Sequence, residues 1–169
     1  MSDVGNRESR ITNRQFADPM TLRSAISTPE GKRRYVRRLF ATIADRYDLI
    51  TIALSYGQDR RWKQRLIALA HLQPDDRVLD LACGTGDLLF AAADRTRTAV
   101  GLDITHRMLQ LARSKRDAAV VTGDMLALPF PDGSFDAAMS SFVLQLVPSR
   151  PQALREIRRV LRPDGLFAF

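Results

Sequence analysis

The chain has 169 residues, enough for one domain with a sizeable core, and its 45% apolar and 27% charged side chains are the balance of a globular protein. No apolar run approaches the ~20 residues that span a bilayer, and the polar residues 1–10 lack the apolar centre of a secretion signal, so the cytosol is the expected compartment. One cysteine, Cys83, excludes an internal disulfide, and two distant histidines, His71 and His106, leave no cluster at zinc spacing, so no metal site is expected.

Residues 1–27 carry scattered charges and no apolar period, and read as a flexible tail. Residues 28–73 read as a helical segment that faces substrate. Ser27 or Thr28 can cap its first helix, Pro29 suits the first turn, and Glu30 follows Ser27 at capping-box spacing. From 32 to 47 the apolar residues Tyr35, Val36, Leu39, Phe40, Ile43 and Tyr47 recur at helical spacing. Arg33, Arg34, Arg37 and Arg38 lie mostly on the other faces. Residues 48–57 read as an apolar loop ending at Gly57, and 59–71 as a second helix with Trp62, Leu66, Ile67 and Leu69 on its apolar side.

Residues 74–169 change pattern. Strands are expected at 77–81, 99–102, 118–121 and 135–140. Helices are expected at 87–94, from a Thr105 cap to 115, and from Ser149 to 161. Pro163, Asp164 and Gly165 form a turn, and a fifth strand starts at Leu166. The alternation predicts an α/β fold, a doubly wound, mostly parallel sheet.

The chemistry concentrates in the run Asp80-Leu-Ala-Cys-Gly-Thr-Gly86, between the first strand and its helix. Gly84 and Gly86 let the backbone approach a ligand closely. Asp103 ends the second strand, where a carboxylate can accept hydrogen bonds from both ribose hydroxyls of an adenosine. A dinucleotide fingerprint needs a third glycine where Leu89 stands. Asp80 and Asp87 suit a sulfonium and an ammonium better than a pyrophosphate, which favours S-adenosylmethionine (SAM). Asp124 could accept the adenine amino group with Met125 packed on the ring, and Ser140 and Ser141 end the fourth strand facing the expected pocket mouth. Cys83 reads as a small buried spacer and His106 as a surface residue of the first helical turn.

Together with the later runs Ala127-Leu-Pro-Phe-Pro-Asp-Gly-Ser-Phe-Asp136 and Arg158-Arg-Val-Leu-Arg-Pro-Asp-Gly-Leu166, these residues resemble the class I SAM-dependent methyltransferases. The upstream stretch from Tyr47 to Lys63 resembles, more specifically, the ubiquinone/menaquinone biosynthesis C-methyltransferases. The resemblance covers residues 30–169 and implies a Rossmann-like fold and SAM as cofactor. It matches Thr85, Asp103, Asp124, Met125 and Ser141 to positions that contact SAM. The implied acceptor is a small lipophilic aromatic or quinol.

The chain departs from that family after strand four, where Val143, Gln145 and Leu146 replace the usual glycine, arginine and asparagine. An amide cannot supply the positive charge a guanidinium offers a phenolate. It also ends at Phe169, inside the fifth strand, where the family's sheet continues. An exposed apolar edge, and poor stability without a partner, are therefore expected. No general base is marked. Tyr47, Asp48, Asp59 and Asp124 qualify by position only, and packing or capping is the expected role of each.

The competing readings are a methyltransferase of another small molecule, such as a phenol or polyketide, and a truncated non-catalytic chain that binds SAM or a protein. The formal charge of +7 calls for an acidic partner: nucleic acid, an anionic membrane surface or an anionic ligand. The arginines of residues 33–38 would suit peripheral contact with an anionic membrane. Nucleic acid is disfavoured because no Asn-Pro-Pro-Tyr-like run follows strand four. A homo-oligomer is left open.

Overall fold

The computed structural model describes residues 26–169, so the expected tail, residues 1–27, lies almost wholly outside the described residues. Helix α1 spans Pro29–Ile43. Thr28 is its cap, with Oγ1 accepting the Gly31 N–H at 3.0 Å, and Pro29 takes the first helical position, where a missing N–H costs nothing.

A 3₁₀ turn at Ala44–Arg46 leads into α2, Tyr47–Leu54. The expected apolar loop is thus largely a helix. Tyr47, Asp48, Ile50, Thr51 and Ser55 are half-buried at helical spacing, while Leu49, Ile52 and Leu54 face outward. Packing of one stripe outweighs the weak helix preference of the β-branched run. The helix closes with Tyr56 in the left-handed region and the Gly57 N–H bonded to the Ile52 carbonyl at 2.9 Å. Helix α3 follows at Asp59–Leu69.

The rest alternates strand and helix: β1 Arg77–Leu81, α4 Asp87–Ala93, β2 Thr98–Asp103, α5 His106–Lys115, β3 Ala119–Thr122, β4 Phe135–Ser140, α6 Arg150–Val160 and β5 Leu161–Ala168. The five strands are parallel in the order β3-β2-β1-β4-β5, a Rossmann-like sheet as expected. The order reverses between β1 and β4, so the crevice outside their carboxyl ends is the switch point where ligands bind in such sheets.

Period-two alternation sorts the strands' side chains. Leu79, Leu81 and Ala138 join Ala153, Ile157 and Val160 of α6 on one face. Val78, Ala137 and Met139 join Ile67 of α3 and Leu88 and Ala92 of α4 on the other. Asp136, nearly buried at the start of β4, joins three strands: its Oδ2 accepts the Arg77 N–H at 2.7 Å and its Oδ1 lies 2.6 Å from Arg162 Nη1.

Two expectations shift. Strand β5 starts at Leu161, which pairs with Phe135. The register then jumps to Leu166 opposite Ala137, so the expected Pro163-Asp164-Gly165 turn is a bulge within the strand. Thr105 stands at the cap position of α5, but its hydroxyl makes no capping bond; Asp103 Oδ1 accepts the Thr105 N–H instead, at 2.7 Å. The β5 edge exposes Leu166 and Phe169.

Candidate active site

The site forms where β1 and β4 end side by side. Within two residues of each strand's end a non-glycine residue enters the left-handed region, Ala82 at φ 55° and Phe142 at φ 60°. Such backbone costs ~1–3 kcal/mol per residue and collects at functional sites. Nothing in the side chains of Ala82 or Phe142 announces it. Gly84 and Gly86 also have positive φ, and a Cβ on Gly86 would stand 2.7 Å from the Phe90 ring. The loop therefore presents bare backbone above the sheet.

Asp80 lies at the base of this loop, 2% exposed, and its Oδ2 has no hydrogen-bond partner. Burial, reinforced by the neighbouring Asp103 charge, pushes its pKa up to about 8. A buried carboxyl with one oxygen left unpartnered beneath an open backbone cradle fits a cationic ligand group. Each Asp103 oxygen accepts one backbone N–H, Oδ2 from Gly84 at 2.9 Å and Oδ1 from Thr105 at 2.7 Å, and each keeps a second lone pair for a ligand hydroxyl. Burial of Asp103 raises its pKa, and those two backbone N–H groups work against the rise. Cys83 is buried, its thiol pushed up by burial and by Asp80 and Asp103, and it fills space against Gly101. His106 is exposed at the start of α5, with Nδ1 3.3 Å from Thr122 Oγ1. Both match the sequence reading.

Helices α1 to α3 cover the loop through charges. Thr85 donates its hydroxyl to Asp48 Oδ1 at 2.6 Å, and Asp48 Oδ2 pairs with Lys115 at 2.6 Å. Partial burial would raise the Asp48 pKa, but the Lys115 and Thr85 hydrogen bonds bring it below the usual value. Asp48 is thus a bracket between α2 and the loop. Lys63 of α3 reaches Asp59 at 2.6 Å and Asp87 at 3.0 Å. Tyr47 is mostly buried, its phenol pKa raised by that burial.

Asp124 Oδ1 accepts the Leu126 N–H at 2.9 Å. Its Oδ2 lies 2.8 Å from Arg33 Nε, an ion pair whose angle falls outside a hydrogen bond. Arg33 therefore does not belong to a purely solvated basic face. It reaches across to β3 and, with Met125, Leu102 and Val143, borders a small cavity of about 60 Å³. Ser140 borders the larger cavity, as expected. It is buried and its hydroxyl is spent on the Leu81 carbonyl at 3.0 Å, stitching β4 to β1. Ser141 is turned to the larger space.

That larger space, about 420 Å³, lies between α3 and the turn after β4, bordered by Trp62, Lys63, Leu66, Ser141, Phe142 and Gln145 among others. Trp62 meets Phe142 edge-on, with ring centroids 5.8 Å apart. The structure thus brings Asp80, Gly84, Thr85, Gly86 and Asp103 together, sets Asp124 and Met125 at the β3 side, and places Ser141 beside the large cavity. The sequence names Lys63, Trp62 and Phe142 as no individual site residues; Trp62 and Lys63 lie in the segment expected to face substrate, and nothing local marks Phe142.

This is the site plan of a methyltransferase of the Rossmann-like class. The profile of the methyltransferase domain family matches residues 79–169, more than half of the chain, and the chain belongs to that family. More particularly, it is 39% identical over 150 residues to a demethylmenaquinone methyltransferase of Symbiobacterium thermophilum, covering 83% of this chain and 60% of that one. It is 40% identical over 138 residues to a 2-phytyl-1,4-naphtoquinone methyltransferase of Synechocystis, covering 76% and 58%. A solved S-adenosylmethionine-dependent methyltransferase from Mesorhizobium loti superposes with a TM-score of 0.57 at 30% identity, over 62% of this chain and 50% of that one. The chain spans about 60% of the length of the curated relatives it matches. Among the described residues no helix is long and apolar enough to cross a membrane.

Proposed function

We propose that the chain carries the SAM-binding half of a methyltransferase acting on a small lipophilic ring, a demethylated quinol in particular. The observation that carries the reading is the buried Asp80 carboxyl, with its Oδ2 unpartnered, under a positive-φ glycine loop, next to an apolar cavity of about 420 Å³. The relatives' names support the acceptor class.

In this reading Asp80 faces the ammonium and sulfonium end, with Gly84, Thr85 and Gly86 giving the cradle. Asp103 takes the ribose hydroxyls, and Asp124 and Met125 take the adenine. Arg33 must then release Asp124, and the small cavity must widen. Ser141 marks the boundary with the acceptor. When bound, SAM supplies an already activated methyl group, so the protein's task is alignment of acceptor and donor and exclusion of water. Trp62, Leu66 and Phe142 give an apolar, aromatic wall suited to a flat ring. The exposed Leu49, Ile52, Leu54 and Tyr56 of the α2 region, together with the arginines of α1, suit contact with an anionic membrane where such an acceptor resides.

A second reading, methylation of another small phenol, is favoured by Gln145, an amide at the cavity wall. Incubation with methyl-labelled SAM and either a demethylated naphthoquinol or a simple phenol separates the two. Label on the naphthoquinol ring carbon supports the first reading, and label only on a phenol oxygen overturns it. Absence of SAM binding in calorimetry overturns both.

A further inference from the structure

The bound donor would bring three charges: a sulfonium, an ammonium and a carboxylate. Asp87 and Asp103, beside the loop, suit the two cations and repel the carboxylate, and Asp80 beneath it offers the carboxylate no positive partner. The carboxylate therefore needs a cation from elsewhere, and among the described residues two lysines touch the loop's acidic groups.

Lys115 ends α5, is committed to Asp48 at 2.6 Å and stands 3.5 Å from Asp87. It does not border the large cavity. Lys63 does, and only 15% of its side chain is exposed. Its ammonium lies 3.0 Å from Asp87, the residue after Gly86, and 2.6 Å from Asp59, which is itself buried. Two carboxylates occupy two of its three N–H donors, leaving one to aim at a ligand. Burial works against its charge, but Asp59 and Asp87 more than compensate, so the lysine stays protonated.

We infer that Lys63, held in place by Asp59 and Asp87, is the group that receives the donor's carboxylate, and so sets the methionine end of SAM against the acceptor cavity. The inference rests on the SAM reading proposed above. It assigns Asp59 a positioning role, since that residue fixes the lysine without bordering the cavity.

The test is calorimetric, with three ligands. SAM and S-adenosylhomocysteine both carry the carboxylate; 5′-methylthioadenosine keeps the nucleoside and lacks the amino-acid part. Lys63→Met is expected to weaken SAM and S-adenosylhomocysteine by about 10- to 100-fold, the range for a lost charged hydrogen bond, and to leave methylthioadenosine within about 3-fold. Lys63→Arg should recover most of the loss. Retained methylthioadenosine binding also reports an intact fold; if the Met variant does not fold, Lys63→Gln, which can still hydrogen-bond Asp59, takes its place. Equal weakening of all three ligands, or none of any, overturns the inference while leaving the SAM reading standing. Failure of the unmodified protein to bind any of the three overturns the SAM reading itself.

Discussion

In the sheet, Leu79, Leu81, Ala138 and Met139 are buried to within 1% of their surface, whereas α1 and α2 together bury only Gly31. The helical cover instead reaches the sheet through charges: Arg33 on Asp124, Asp45 on Arg107, Asp48 on Lys115 and Thr85, and Lys63 on Asp87. Apolar burial is non-directional and is lost only when the whole element leaves. Partly exposed ion pairs are each worth ~0–1 kcal/mol and are screened by salt. The sheet is therefore the fixed half of the site and α1–α2 the half that can shift, which is the half that must release Asp124 if a nucleoside is to enter.

The contrast is broken most directly by truncating one apolar residue in each half. Leu81→Ala should cost ~2–5 kcal/mol in denaturant unfolding, and Leu39→Ala on α1, 40% exposed, well under ~1 kcal/mol. Similar losses would mean that the cover is packed as tightly as the sheet. Asp103→Ala comes next. Removing its charged hydrogen bonds should weaken SAM by ~1.5–3 kcal/mol in calorimetry, and unchanged affinity would remove Asp103 from the ribose role.

Asp80 gives a pH signature confined to the sheet. Its folded pKa of about 8 lies above the ordinary carboxylate value near 3.8. Its contribution to stability is therefore complete below ~4 and is lost as pH rises through about 8. Asp80→Asn should flatten the decline in stability between about pH 4 and pH 8, by ~1–3 kcal/mol at the alkaline end. Identical pH profiles for the two proteins would show that Asp80 is not protonated in the fold. The smallest expected effect is salt. Raising ionic strength from about 0.05 to about 0.5 M should speed amide exchange in α1 and α2, by ~0.5–1 kcal/mol of opening energy, and leave β1 and β4 unchanged.

Much of the sheet was legible because its signals are local. Val78 to Leu81 and Phe135 to Met139 are short, mostly apolar runs, each with one aspartate, bounded by breakers. Ser149 and Pro151 mark the start of α6, and Ser149 Oγ does accept the Gln152 N–H at 3.3 Å. The stretch 48–57 was not legible as a helix, since Ile50, Thr51 and Ile52 individually disfavour one and only contact with the loop selects it. The β5 bulge read as a turn for a similar reason: Pro163 and Gly165 mark an irregularity, but pairing with β4 on both sides of it decides that the strand continues.

The same division runs through the site. The sequence alone determined the strand–loop–helix at Asp80 to Asp87 and the acidic residue at 103, because glycine backbone freedom and strand-end spacing are properties of neighbouring residues. Tertiary structure decided that Asp80 Oδ2 is left unpartnered, that Ser140 is spent on Leu81, that Arg33 sits on Asp124, and that Lys63 meets Asp87, 24 residues away. Burial and ion pairing depend on which elements pack together, and no local spacing carries that information.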